Sequence, residues 1–348
     1  MAGGLPIQHQ LTPEQAPGIR RSPRFQWLIA VVYGYAVLVG VSAIAVQFLT
    51  DRLLPATLIA FGPRWLLALP LVPLTLVVAG LRFRQRRLAL GGLGLIACVL
   101  MFGVMDLRLG RGRVSGIPSL RVMTHNVGGS TITSKGLHDF LTREHIDIAA
   151  IQECPFYDYG PARLGWHLYY GGDLCLVSRY PLSVLDPVEA AADERESDPE
   201  PVRFEISTAF GRFQLMNVHP ETVRGGLEAI RHDGWAGLSV LAHNRVEARR
   251  QSEAARGRLH SVTTPFLVAG DFNLPVESEI YKANWGDLRN VFSSCGRGFG
   301  YTKYTSVYGI RIDHVLASGQ WECTDARVLA SPYGGDHLPL VVDLRLKQ

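Results

Sequence analysis

The pattern of apolar and polar positions changes once along the chain, near Arg108, and its two parts predict different surroundings. Before that point apolar residues follow one another without alternation. Residues 27–49 form a run of 23 without a charge, enough at about 1.5 Å per residue to cross a hydrocarbon layer of about 30 Å. This run is too long for the apolar region of a signal peptide. A second run covers 65–81, or starts at Leu58 if Arg64 is tolerated at an interface; its Pro70 and Pro73 are acceptable where neighbouring helices re-satisfy the backbone. A third, 88–105, carries Gly91, Gly92 and Gly94, small residues that allow close helix contact. From Leu120 onward, short apolar runs alternate with turn residues and helical stretches, as in an α/β domain. Strands are expected at 120–126, 146–152, 173–178, 266–269, 312–317, 326–330 and 338–344, with a hairpin over 202–207 and 212–217. Helices are expected at 136–144 and 238–259. The division that follows is a tail at 1–26, a three-span anchor at 27–105, a linker at 106–118 and a folded domain at 119–348.

Charge sharpens that division. Residues 1–118 hold 12 Lys and Arg against 3 Asp and Glu, whereas residues 119–348 hold 23 against 28, so the total of +4 hides two opposite parts. A basic segment beside apolar spans reads as a topology signal or a contact with anionic headgroups. A net-acidic folded domain is a poor generic trap for nucleic acid. Arg20, Arg21 and Arg24 precede the first span and Arg82, Arg84, Arg86 and Arg87 lie between the second and third, so both groups belong on the cytoplasmic side. Three crossings then put the folded domain outside, in a multi-pass protein of the cell membrane. Arg108, Arg111 and Arg113 argue for the reverse if the third run does not cross. Among the five cysteines, Cys98 lies in a span; Cys154, Cys175, Cys295 and Cys323 lack CxxC spacing, so a structural zinc site is not expected. Two disulfides or four buried thiols both fit.

Candidate chemistry gathers where predicted strands end: Asn126, Glu153, His219, Asp271 with Asn273, and Asp336 with His337. These are oxygen and imidazole donors suited to a hard cation and a phosphate, unlike the Cys and His clusters that zinc prefers. Taken singly, each is a common turn residue or satisfied histidine. His125 and His314 adjoin these positions, but strand alternation turns them to the opposite face. The Gly-rich segment 221–242, which holds Trp235 and follows His219, is read as a loop and as a candidate substrate-binding or lipid-facing flap.

As an ordered set, Thr124-His125-Asn126-Val127, Gln152-Glu153, Ser178-Arg179-Tyr180-Pro181, Asn217-Val218-His219, Gly270-Asp271-Phe272-Asn273, Arg311-Ile312-Asp313-His314 and Gly335-Asp336-His337 are distinctive. They resemble the endonuclease/exonuclease/phosphatase (DNase I-like) family over residues 120–348. The resemblance implies a four-layer α/β sandwich of two packed mixed sheets flanked by helices, here preceded by three transmembrane helices. It also implies Mg²⁺, with Mn²⁺ as a substitute, held by Glu153 with Asn126 and Asp336 nearby. Asp271 and Asn273 would position water and a phosphoryl oxygen, His337 would act at phosphorus with Asp313 behind it, and His219 would serve the phosphate or the leaving group. Some nuclease members carry an acidic residue two positions after the Asn matched by Asn126; Gly128 stands there, which weakens an abasic-endonuclease reading. Bacterial members with a three-span N-terminus are linked to glycopeptide-antibiotic resistance, which points to a lipid-linked phosphate. The expected partners are membrane lipids and a lipid or polyprenyl-linked phosphate ester, with no protein partner inferred. A surface nuclease acting on DNA or RNA is the alternative, and a non-enzymatic relic the third reading.

Overall fold

The computed structural model describes residues 23–81, 83–110, 119–154, 165–186, 200–330 and 335–347. The predicted tail up to residue 22, most of the predicted linker (111–118), and Arg20, Arg21, Arg82, Arg111 and Arg113 lie outside the described residues.

The first apolar run forms one helix, α1 (Pro23–Leu49). The second, expected over 65–81 or from Leu58, is built of several helical pieces. Gly62 and Pro63 end α2 (Leu54–Phe61); a 3₁₀ turn (Arg64–Ala68) and α3 (Leu71–Ala79) follow, bent by 97° from α2. Proline lacks the N–H a continuing helix requires, so Pro63 and Pro70 each break the ladder. The third run forms α4 (Phe83–Cys98) and continues as a π turn to Val104. Among the described residues two helices, Gln26–Leu49 and Arg86–Val104, are long and apolar enough to cross a membrane, and a third span is present if the bent pair counts as one.

Two six-stranded sheets dominate the remainder, beside two short two-stranded pairings. We number their strands β1 (Leu120–Asn126), β2 (Ile148–Gln152), β3 (His167–Gly171), β4 (Leu174–Ser178), β5 (Leu182–Val184), β6 (Val202–Thr208), β7 (Gly211–Val218), β8 (Phe266–Asp271), β9 (Arg289–Asn290), β10 (Asp313–Ala317), β11 (Trp321–Val328) and β12 (Leu340–Leu346). One sheet has the order β11-β12-β1-β2-β4-β3 and the other β9-β10-β8-β7-β6-β5. Apolar side chains of the two inner faces, among them Val122, Leu176, Phe204, Leu215, Leu267 and Val342, form the central core. Helix α5 (Ser134–Arg143), capped by Thr133 Oγ1, covers the outer face of the first sheet through Leu137, Phe140 and Leu141. On the other side α6 (Arg224–Asp233), α7 (Leu238–Gly257) and α8 (Glu279–Trp285) complete a helix-sheet-sheet-helix sandwich.

Each sheet contains one parallel pair, β1 with β2 and β7 with β8, and each pair is joined by helices as parallel strands require. The ends of parallel strands fall together, so Asn126 stands beside Gln152 and Val218 beside Gly270. The antiparallel neighbours begin where those strands end: Leu174 opposite Gln152, and Asp313 opposite Asp271. One edge of the sandwich therefore collects six chain segments that are distant in sequence. Segment 221–242, expected as a loop, is helical over most of its length, with α6 leading through a 3₁₀ turn (Gly234–Gly237) into α7.

Candidate functional site

Asp271 is the centre of the edge cluster. It is fully buried at the end of β8, and its Oδ1 accepts from the Asn273 backbone N–H at 2.9 Å. Its Oδ2 accepts from Asn126 Nδ2 at 3.1 Å, and the same amide nitrogen donates to Glu153 Oε1 at 2.8 Å. Asn126 thus links the buried carboxylate to the half-exposed one. Glu153 and Asn273 both hold φ near +50°, the left-handed region that non-glycine residues seldom enter. Each sits where the chain turns sharply out of a strand, and the turn delivers its side chain to the cluster.

Two histidine-aspartate pairs face Asp271. His337 Nδ1 donates to Asp313 Oδ2 at 2.9 Å, and its Nε2 stands 3.6 Å from Asp271 Oδ2. His219 Nδ1 donates to Asp173 Oδ2 at 2.5 Å, with Nε2 3.8 Å from Asp271 Oδ2 and 4.0 Å from Glu153 Oε1. In both rings the carboxylate fixes which nitrogen carries the proton and aims the other at the centre. Burial opposes the imidazolium of His337, but Asp313 and Asp271 outweigh it and push the ring up to about 9. His219 is raised in the same way, burial being outweighed by Asp173 and Asp271. Burial raises Asp271, and neighbouring Asp313 raises it further. Asp313 is lowered, because His337 overcomes its burial.

The donor set fits a hard divalent cation. Asp271, Asp313 and His337 offer atoms within 4.8 Å of one another, and half-exposed Glu153 adds a carboxylate beside them, held by Asn126 Nδ2. Asp271 and Asp313 repel each other, and a cation beside them would relieve that repulsion further than the neighbouring imidazoles do.

Of the residues expected from sequence, Asn126, Glu153, His219, Asp271, Asn273, Asp313 and His337 meet at this edge. Asp336 lines the same cavity, with Oδ1 3.9 Å from His337 Nε2; its Oδ2 accepts from Lys303 Nζ at 2.5 Å and lies 3.7 Å from Arg224. Burial would raise its carboxyl, but Lys303 holds it below the ordinary value. His125 and His314 are buried, and burial pushes them down to about 4 and about 3, which keeps both neutral; His125 Nε2 lies 3.4 Å from the His337 carbonyl. Sequence reasoning missed Asp173 and Lys303. Asp173 precedes β4, and only the antiparallel pairing of β4 with β2 brings it to Glu153's edge. Lys303 Nζ stands 3.0 Å from His337 Nε2, across an isolated bridge that joins their backbones. Gln152 Nε2 donates to Asn217 Oδ1 at 2.7 Å and so ties the two sheets together directly beneath the site.

Gly128 has a structural reason. A Cβ there would stand 1.8 Å from Glu153 Oε2. The Glu153 carboxylate, as placed, fills the space that a side chain at 128 would need, so a residue with a Cβ there would displace it. Two cystines frame the sandwich. Cys154–Cys175 joins the residue after Glu153 to the strand that begins beside Asp173, and Cys295–Cys323 lies in the central core. The cluster opens into a cavity of about 800 Å³ whose walls include α6 and the end of α2.

The sequence model of the Endonuclease/Exonuclease/phosphatase family matches residues 123–337. No curated protein matches the sequence. Solved structures share its fold at low identity. An AP endonuclease from Archaeoglobus fulgidus is 18% identical, with a TM-score of 0.46 over 64% of this chain and 98% of its own. A mannosyl-6-phosphatase from Bacteroides thetaiotaomicron is 16% identical, with a TM-score of 0.44 over 66% of this chain and 100% of its own. D. rerio TDP2, complexed with single strand DNA product, is 16% identical, with a TM-score of 0.46 over 65% of this chain and 98% of its own.

Proposed function

Because this chain belongs to the endonuclease/exonuclease/phosphatase family, and is thereby a metal-dependent hydrolase of phosphoric ester bonds, we propose that it works at a membrane surface on a lipid or polyprenyl-linked phosphate, with Mg²⁺ as its cation. The supporting observation is the joint between the sandwich and the apolar helices. Asp51, just after α1, accepts from Ser278 Oγ at 2.7 Å and from the Ile280 N–H at 2.9 Å, an anion at the N-terminus of α8. Arg64, at the helix break, pairs with buried Glu277. Asp106, just after the third apolar run, pairs with Arg311. The ends of the first and third runs thus both meet the sandwich. This supports an odd number of crossings, with the Arg-rich ends on the opposite side. By the positive-inside rule the sandwich is then extracytoplasmic, a placement that two cystines also favour. The division into tail, anchor, linker and folded domain is part of the same proposal.

In this reading Glu153, with Asn126 and Asp336 nearby, would hold the cation, which would supply polarisation of the phosphoryl oxygens and charge stabilisation on the leaving oxygen. His337, oriented by Asp313, handles the proton of the attacking water. Asp271 orients that water. Asn273 keeps one amide N–H on the Pro220 carbonyl and has a second for a phosphoryl oxygen. His219, oriented by Asp173, donates to the leaving oxygen. Asp336 positions Lys303 and Arg224 toward the phosphate.

The test is a substrate comparison. Full-length protein in detergent with Mg²⁺ is offered phospholipids, polyprenyl diphosphate and DNA, beside Glu153→Ala and His337→Ala. Release of phosphate or headgroup from lipid, lost in both variants and on chelation, is the expected result. Cleavage of DNA alone would replace this reading with that of a membrane-anchored nuclease.

A further inference from the structure

We propose that the anchor is itself part of the substrate site: the broken helix pair and α6 form a slot for the hydrocarbon chain of the lipid whose phosphate meets the histidines. This inference rests on the lipid-linked reading above and extends it to the residues that select the substrate by its chain.

The cavity carries two kinds of wall. The Asp271 cluster and the cations Arg224, Arg231 and Lys303 line it, and so do Leu58, Phe61 and Pro63 of the apolar segment with Leu227 and Ile230 of α6. An anionic head, its neutralising cations and an aliphatic wall within one cavity match the parts of an amphiphile.

The apolar walls have fixed positions. Helix α2 is bent by 97° from the helix that follows, and its last turn, with Leu58 and Phe61, lines the cavity. The break beside Pro63 is pinned by Arg64, whose guanidinium donates to Glu277, to the Ala60 carbonyl and to the Val104 carbonyl. The other apolar wall, α6, lies directly on α7: a Cβ at Gly226 would stand 2.3 Å from Leu241 Cα. Leu227 and Ile230, three residues apart on α6, face the cavity together. Leu58 is half-exposed, and Trp235 at the turn between α6 and α7 is 81% exposed, a placement typical of side chains at a lipid interface. The slot is continuous with helices that are apolar enough to lie in the bilayer. Its occupant is therefore the chain of a membrane lipid, reached without the lipid leaving the membrane.

The test reads chain-length preference in full-length protein in detergent micelles. Two matched pairs serve as probes, dipalmitoyl and dibutyryl phosphatidic acid, and geranylgeranyl and dimethylallyl diphosphate, with released phosphate counted. The quantity measured is the ratio of kcat/KM for the long member to that for the short member. Phe61→Ser on α2 and Leu227→Ser on α6 are each expected to lower that ratio about tenfold, the effect of removing one buried apolar side chain from the contact. Turnover of the short member in the same preparation shows that the variant is folded. An unchanged ratio in both variants, with the wild type hydrolysing the long member, overturns the slot and leaves the lipid reading intact. A wild type that hydrolyses neither long member overturns both.

Discussion

Arg64 and Glu277 form a buried ion pair, 2.6 Å apart and 7% and 3% exposed, that joins a break in the apolar helices to the loop just after the Asp271 strand. The remaining guanidinium hydrogens are taken up by the Ala60 and Val104 carbonyls. A charge removed from water this far needs its partner, so truncating one side costs more than removing both. Arg64→Met is expected to destabilise by about 3–5 kcal/mol, and Arg64→Met with Glu277→Met together by much less. Thermal unfolding in detergent decides this. Glu277 also sets a pH dependence: burial would raise its carboxyl, but Arg64 holds it below 4.5. Its contribution is complete above that value and is lost as pH falls through the lower folded-state value, so melting temperatures should drop only at acidic pH.

Asp313→Asn removes the acceptor that orients His337. Proton transfer from a misoriented imidazole is slower, so kcat should fall about 10²–10⁴-fold. The ring of His337, pushed up to about 9 in the wild type, should titrate lower in the variant because an adjacent anion no longer favours imidazolium. NMR titration of the metal-free protein reads that shift separately from activity. An unmoved titration would mean that Asp313 does not act through this ring.

Gly128→Ala tests the crowding around Glu153. The new Cβ would fall 1.8 Å from Oε2, and the flexible carboxylate has to move aside. Stability should change little, while kcat falls on the order of 10²-fold from a displacement of about 1 Å. Weaker Mg²⁺ activation should accompany the loss. Normal activation with a large drop in melting temperature would instead make Gly128 a backbone requirement.

Cys154–Cys175 fastens the turn that carries Glu153 to the strand beside Asp173. Cys154→Ala with Cys175→Ala should lower activity as well as cost about 3 kcal/mol of stability. Breaking Cys295–Cys323, remote from the edge cluster, should affect stability alone. Turnover measured well below both melting temperatures separates the two cases.

Sequence by itself determined the strand and helix pattern closely. The expected strand 120–126 is β1, the hairpin arms agree to within about a residue at each end, and the helix expected at 238–259 is α7. Alternation of apolar and polar positions is a local property, and it fixes an element wherever one face is buried. The strand beginning at Trp321 was placed too late, at 326–330, because Glu322, Thr324 and Asp325 interrupt its apolar pattern. Most of the site was also open to this reading, because a polar residue that ends a buried strand is visible without knowing what the strand pairs with.

Tertiary structure alone decided the rest. Asp173 pairs with His219 across 46 residues, Arg64 with Glu277 across 213, and Lys303 with Asp336 across 33. Each of these depends on sheet order or on how the helices dock, neither of which leaves a periodic trace. The α2–α3 break carried local signals in Gly62, Pro63 and Pro70, but proline is tolerated inside membrane helices, and composition could not tell a kinked span from a bend of 97°. That bend turns an anchor, which hydropathy could describe only as a tether, into one wall of the cavity that holds the site.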